Sequence, residues 1–168
     1  MGDPDLNLES RLAVPQFFFE DCTVGASFQT PGRTITDADI TMFAGLSGDY
    51  NQLHTDAEFC RDTAFGKPVA HGLLVLAITS GLTARLPLLS GLQGSILGLV
   101  NLECRWRAPV FAGDTITVKV DIEDVTETSK PDRGIVLLNR TAQNQSGQDV
   151  MLSGWKLMVR RAPTSIES

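Results

Sequence analysis

The chain has only two histidines, His54 and His71, and both stand beside other reactive side chains. Asp49, Asn51 and His54 share one polar stretch, LSGDYNQLHTD (46–56), and His71 precedes Gly72 at the head of a long apolar segment. An Asp five residues before a His in a tight loop suits acid–base chemistry. Adding water to a carbon–carbon double bond needs a base to take a proton from water and an acid to give one to the α-carbon. A carboxylate and an imidazole holding one water between them supply both. The same residues also fit a plainer role, with Asp49 and Asn51 forming an Asx-turn and His54 a satisfied polar residue. Spacing alone leaves both open.

Other chemistries fit less well. A calcium loop beginning at Asp49 needs Gly sixth and Glu twelfth, where the sequence has His54 and Cys60. Gly45-Leu46-Ser47-Gly48-Asp49 resembles a nucleophile elbow, but Asp49 replaces its last Gly and no strand precedes it. Two histidines and scattered carboxylates lack a metal-site spacing, so no metal is expected. Cys60 is read as a buried structural thiol rather than a nucleophile.

The elements that must position these residues are legible in outline. Residues 1–15 read as a flexible tail, 16–162 as one domain and 163–168 as a second tail. Phe17, Phe18 and Phe19 read as an anchor packed onto the body. A short strand is expected within 27–35, interrupted at Pro31-Gly32. Thr36 followed by Asp39 resembles a capping box opening a helix over 37–46, with Ile40, Phe43 and Ala44 at helical spacing. A loop over 46–56 and a short helix over 57–62 follow. Residues 72–86 read as a helix apolar almost all round, which other structure must wrap. Apolar and polar residues then alternate from Ile96 to Arg107, the mark of a strand, and from Ile116 to Ile122, the mark of a half-buried one. Residues 135–144 and 150–160 suggest a last hairpin, closed by Gln145-Ser146-Gly147-Gln148. A buried helix followed by long antiparallel strands describes an α+β domain with its sheet curled around the helix.

Composition narrows the classes. The 42% apolar and 20% charged residues over 168 positions suit one globular domain with its own core. A net charge of −6 and no basic run argue against a nucleic-acid partner. Three cysteines, an odd number at unrelated spacings, suggest no disulfide framework and a reduced, cytoplasmic setting. The acidic N-terminus lacks the apolar core of a signal peptide, and the run 72–78 is too short to span a bilayer.

The stretch from Phe43 to His54, FAGLSGDYNQLH, resembles the signature of the MaoC-type, (R)-specific enoyl-CoA hydratase family. The likeness continues through AFGKPVAHGLL (64–74) and APVFAGD (108–114), and covers roughly 17–161. Gln52 stands where that family usually has Pro, a change that loosens the loop but removes no reacting group. The resemblance implies a hot-dog fold, a roughly five-stranded antiparallel sheet wrapped around a long central helix, pairing into homodimers or assemblies of them. It implies reversible hydration of a trans-2-enoyl-CoA to a (3R)-3-hydroxyacyl-CoA, with coenzyme A part of the substrate and no other cofactor. Asp49 and His54 then resemble the catalytic pair, and Asn51 the residue that holds the loop or the water. Ser80 resembles a supporting hydrogen-bond partner beneath the pair, and His71 a loop-holding residue. The N–H of Gly72 resembles the oxyanion donor, which its place at a helix start supports: free N–H groups and the dipole favour negative charge there, and lack of a Cβ lets a thioester approach. Lys130 and Arg133 are the candidates for the phosphates of coenzyme A, with Arg105, Arg107, Arg160 and Arg161 competing. Hydration of a branched or dicarboxylic (mesaconyl-type) enoyl-CoA, thioester hydrolysis and non-catalytic acyl-CoA binding are the alternatives carried forward.

Overall fold

The alternating segments form the strands that the pattern predicts. The computed structural model describes residues 15–163, so the expected tails lie outside the described residues except for Pro15 and Pro163. In chain order the strands are β1 (Ser27–Gln29), β2 (Arg33–Thr34), β3 (Ile96–Trp106), β4 (Thr115–Glu127), β5 (Arg133–Gln143) and β6 (Asp149–Arg160). The helices are α1 (Asp37–Ser47), α2 (Gln52–Thr55), α3 (Ala57–Arg61), α4 (Gly72–Ala84) and α5 (Pro87–Leu92). The strands pair antiparallel in the order β1-β4-β5-β6-β3, with β2 also on β4. The sixth strand arises because Pro31-Gly32 divides the expected segment into two short ones.

One face of the sheet packs on α4. Val118, Val120, Val136 and Leu138 from the strands, and Val75, Ile78 and Leu82 from the helix, are almost wholly buried. Each such side chain contributes roughly 1.5–3 kcal/mol on leaving water. The Phe17–Phe19 segment does anchor: Phe17 N donates to Gly91 O at 2.9 Å, Ser95 Oγ donates to Phe17 O at 2.6 Å, and the Phe19 ring lies against Gly134. Among the described residues no helix is long and apolar enough to cross a membrane.

Two local expectations need correction. The loop expected over 46–56 contains α2, because Asn51 caps a helical turn there. The apolar helix ends at Ala84, with Pro87 starting the separate α5, since proline fits only a first turn. The alternation over β3 marks an edge strand with most of its length exposed, including Leu99, Val100 and Leu102. Alternation is the same for an edge strand and a central one.

Candidate active site

The site is assembled by short-range hydrogen bonds. α1 begins in the capping box: Thr36 Oγ1 accepts from Asp39 N at 3.2 Å, and the Asp39 carboxylate accepts from Thr36 N at 2.9 Å. Burial alone would raise the Asp39 pKa, but the bonds from Thr36 and the Arg33 guanidinium outweigh it and hold the carboxyl low. α1 ends at Gly48, whose φ of 76° is the left-handed conformation that favours glycine. The chain turns there and delivers Asp49. Asp49 N donates to Ser47 Oγ at 3.2 Å, Asn51 N donates to Asp49 Oδ1 at 3.2 Å, and Leu53 N donates to Asn51 Oδ1 at 3.0 Å. These successive turns start α2, which carries His54. Cys60 closes the unit from α3, fully buried with its Sγ 3.4 Å from the carbonyls of Gln52 and Leu53. It is a structural thiol.

His54 Nδ1 lies 2.6 Å from the Val69 carbonyl. A carbonyl only accepts, so Nδ1 carries the proton and Nε2 is left to work. By the same logic His71 Nε2 donates to the Asp49 carbonyl at 2.9 Å. The two rings stack with centroids 3.7 Å apart, and His71 is 2% exposed. His71 thus holds the loop and supports His54 from beneath. Polar atoms of Asp49, His54 and His71 all lie within 4.8 Å of one another. The Asx-turn and an acid–base pair, open alternatives in sequence, are compatible: the turn holds the Asp49 and His54 side chains close together. Spacing gave no hint of a metal here, and the fold does gather three donors. Two of the four imidazole nitrogens there are engaged by carbonyls, leaving one nitrogen on each ring.

Gly72 is the first residue of α4. The first helical bond runs from Val75 N to His71 O, and no side chain caps the end. The N–H groups of Gly72, Leu73 and Leu74 therefore have no helical partner and point out of the end of α4. The reason for glycine differs from the one expected. A Cβ here would stand 2.7 Å from Trp106 Nε1, the indole nitrogen that donates to Gly72 O at 2.9 Å. Trp106 on β3 makes the close approach. Beside them lies a cavity of about 340 Å³ lined by Phe65, Val69, Gly72, Trp106, Arg107 and Pro109, among others. A larger one, about 710 Å³, lies between α1 and α4 and includes Phe43 and Leu74.

Asp49, Asn51, His54, His71 and Gly72 are therefore brought together, and three expected residues are not. Ser80 sits eight residues beyond Gly72, about 12 Å along the helix. Its half-buried hydroxyl makes no hydrogen bond among the described residues, whereas Thr79 and Thr83 bond helix carbonyls. Lys130 lies in the β4–β5 turn and Arg133 just beyond it at the start of β5, at the far end of the sheet from Trp106 and Gly72. β4 alone spans roughly 40 Å. Arg133 is also engaged by Asp132, at 2.8 and 2.6 Å. Of the competing arginines, Arg107 lines the smaller cavity, while Arg161 is held by Glu20 and Glu127. Trp106 escaped sequence reading because alternation places it on a strand without saying what it meets.

Residues 20–144 match the family described as MaoC like domain. The chain belongs to this family. Its sheet curled about α4 is the hot-dog fold. The (R)-specific enoyl-CoA hydratase of Rhodospirillum rubrum is 35% identical over 114 residues, 67% of this chain and 74% of that protein. The 3-hydroxybutyryl-CoA dehydratase of Methylorubrum extorquens is 32% identical over 142 residues, 84% and 82% of the two chains. The crystal structure of the MaoC-like dehydratase from R. rubrum superposes with a TM-score of 0.78 at 33% identity, covering 88% of this chain and 99% of the other. Against Protein MaoC of Klebsiella aerogenes, 37% identical over 114 residues, the match spans about a third of the relative's length (32%).

Proposed function

We propose that this protein is a hydratase/dehydratase that adds water reversibly to a trans-2-enoyl-CoA, giving a (3R)-3-hydroxyacyl-CoA. The observation that carries the reading is the Asp49–His54 pair, with His54 Nε2 unengaged among the described residues, set beside a helix start whose first N–H groups have no helical partner there. The thioester carbonyl accepts from the Gly72 N–H, which stabilises the enolate as negative charge develops on oxygen. One member of the pair takes a proton from water as its oxygen bonds C3, and the other delivers a proton to C2. In the reverse direction the same groups remove the C2 proton and protonate the departing hydroxyl. Coenzyme A enters as part of the substrate, no dissociable cofactor is required, and a cytoplasmic setting is expected. Crotonyl-CoA should lose its enoyl absorbance in the presence of the protein without release of free thiol. Release of thiol at the same rate would instead make it a thioesterase.

A homodimer belongs to the same reading. The free edge of β3 carries Leu97, Leu99, Val100 and Leu102, each 40–50% exposed, an apolar unpaired edge of the kind soluble chains cover. A second copy pairing there would bury it around a two-fold axis. Light scattering at micromolar concentration should give twice the chain mass, and Val100→Lys should shift it to the monomer. A wild-type monomer would contradict this assembly.

A further inference from the structure

One nitrogen in the site is left over by the reaction above. His71 is 2% exposed, its Nε2 donates to the Asp49 carbonyl, and its Nδ1 is buried without a hydrogen-bond partner among the described residues. With the proton on Nε2, Nδ1 holds a bare lone pair. The helix start does not use it, because His71 makes no capping bond at the head of α4. A lone pair shut away from water in this way calls for a donor or a metal ion.

The neighbours of that nitrogen favour the metal. His54 is held in the same manner, with Nδ1 donating to Val69 O at 2.6 Å and the lone pair left on Nε2. Imidazoles that bind metals almost always donate their other ring N–H to a carbonyl or carboxylate, which sets the tautomer and the ring. Both rings are set that way here. Asp49 adds an anionic oxygen: Oδ1 accepts from Asn51 N at 3.2 Å, and Oδ2 makes no bond among the described residues. One donor atom from each of the three residues lies within 4.8 Å of the others. Donors bonded to one zinc at about 2.1 Å stand roughly 3–4 Å apart, so the set needs only a small contraction. Asp49 is exposed and His54 half-buried, so these two side chains can supply it while His71 stays in place. The rings are stacked at a tilt of 27° and must open for both lone pairs to reach one ion; His54 is the ring with room to turn.

We propose that Asp49, His54 Nε2 and His71 Nδ1 bind one divalent transition-metal ion such as Zn²⁺, and that this ion reversibly blocks hydration. The block rests on the hydratase reading above; the binding does not. Two imidazoles and one carboxylate suit zinc and its transition-metal neighbours, whereas magnesium and calcium take oxygen ligands. Three protein ligands leave a position for water, as in open zinc sites. Once the ion is bound, His54 has no lone pair left to take a proton and the Asp49 carboxylate is drawn to the metal. No member of the pair then remains to move a proton to or from C2. A bound enoyl thioester stands over the same gap, so substrate and ion exclude one another.

The test titrates the chelator-treated full chain with Zn²⁺ by calorimetry and with Co²⁺ by absorbance. Saturable binding of one ion per chain in the micromolar range or tighter is expected. The cobalt spectrum should lack thiolate charge-transfer bands, which sets the site apart from Cys22, Cys60 and Cys104. His71→Asn and Asp49→Asn should each weaken binding at least about 10-fold. Asp49 lies on an exposed loop, so its variant carries the test even if His71→Asn does not fold. With crotonyl-CoA, Zn²⁺ should lower the hydration rate, EDTA should restore it, and more substrate should raise the Zn²⁺ needed. Absence of saturable binding, binding only in the millimolar range, thiolate bands, or affinity unchanged in both variants would overturn the site. Binding that leaves or raises the hydration rate would overturn the block. Ion binding that both variants weaken, in a protein that hydrates no enoyl thioester, would keep the site and remove the hydratase reading.

Discussion

Asp49→Asn and His54→Ala are each expected to lower the hydration rate by at least about 10²-fold, the usual scale for positioned acid–base groups. The asparagine variant is the sharper test. Its side-chain oxygen can still accept from Asn51 N, and the backbone carbonyl that His71 holds is untouched, so the loop should keep its shape. What disappears is basicity. His54→Ala also removes the bond to Val69 O, so its thermal unfolding should be measured beside its activity. Because both groups act on one water, the double variant should be little worse than the poorer single one. Additive losses would mean that the two residues serve separate steps, and wild-type rates in both single variants would place the chemistry elsewhere.

Gly72→Val should be the next most damaging change. Its Cβ would fall 2.7 Å from Trp106 Nε1, so either the indole swings out or the first turn of α4 shifts. Overpacking of this kind typically costs about 1–3 kcal/mol in stability. The larger effect should be on turnover, since misplacing one oxyanion donor costs about 10²–10³-fold. Combining Gly72→Ala with Trp106→Leu separates the causes. Restored stability with turnover still low would assign Trp106 a part in aligning the helix start. Full recovery would show that the indole merely leaves no room. Wild-type turnover in Gly72→Val would mean that the oxyanion is bound somewhere else.

Much of this site was legible because its determinants are local. The Thr36–Asp39 box, the turn through Asp49 and Asn51, and the helix start at Gly72 each involve residues a few positions apart, where residue type nearly dictates conformation. The β4, β5 and β6 alternation likewise survives into the fold, since one face of each strand must meet α4. What was not legible depends on long-range placement. Nothing local tells that Lys130 and Arg133 turn at the opposite end of a long hairpin from Gly72, or that Ser80 lies two helical turns from the pair. Trp106 looks like an ordinary strand residue until the fold sets its indole against Gly72. His71 resembles a loop-holder in the family pattern, and its bond to the Asp49 carbonyl is a contact that suits that role.

The polar atoms of Asp49 and His54 lie within 4.8 Å of each other, so an alkene bound beside them should meet both from one side and take water and proton on one face. The most direct measurement is the configuration of the product formed from a trans-2-enoyl-CoA, read with enantiomer-specific 3-hydroxyacyl-CoA dehydrogenases. The (3R) alcohol alone is expected, and its formation should be lost in Asp49→Asn. A (3S) product, or a (3R) product formed at full rate by Asp49→Asn, would contradict it.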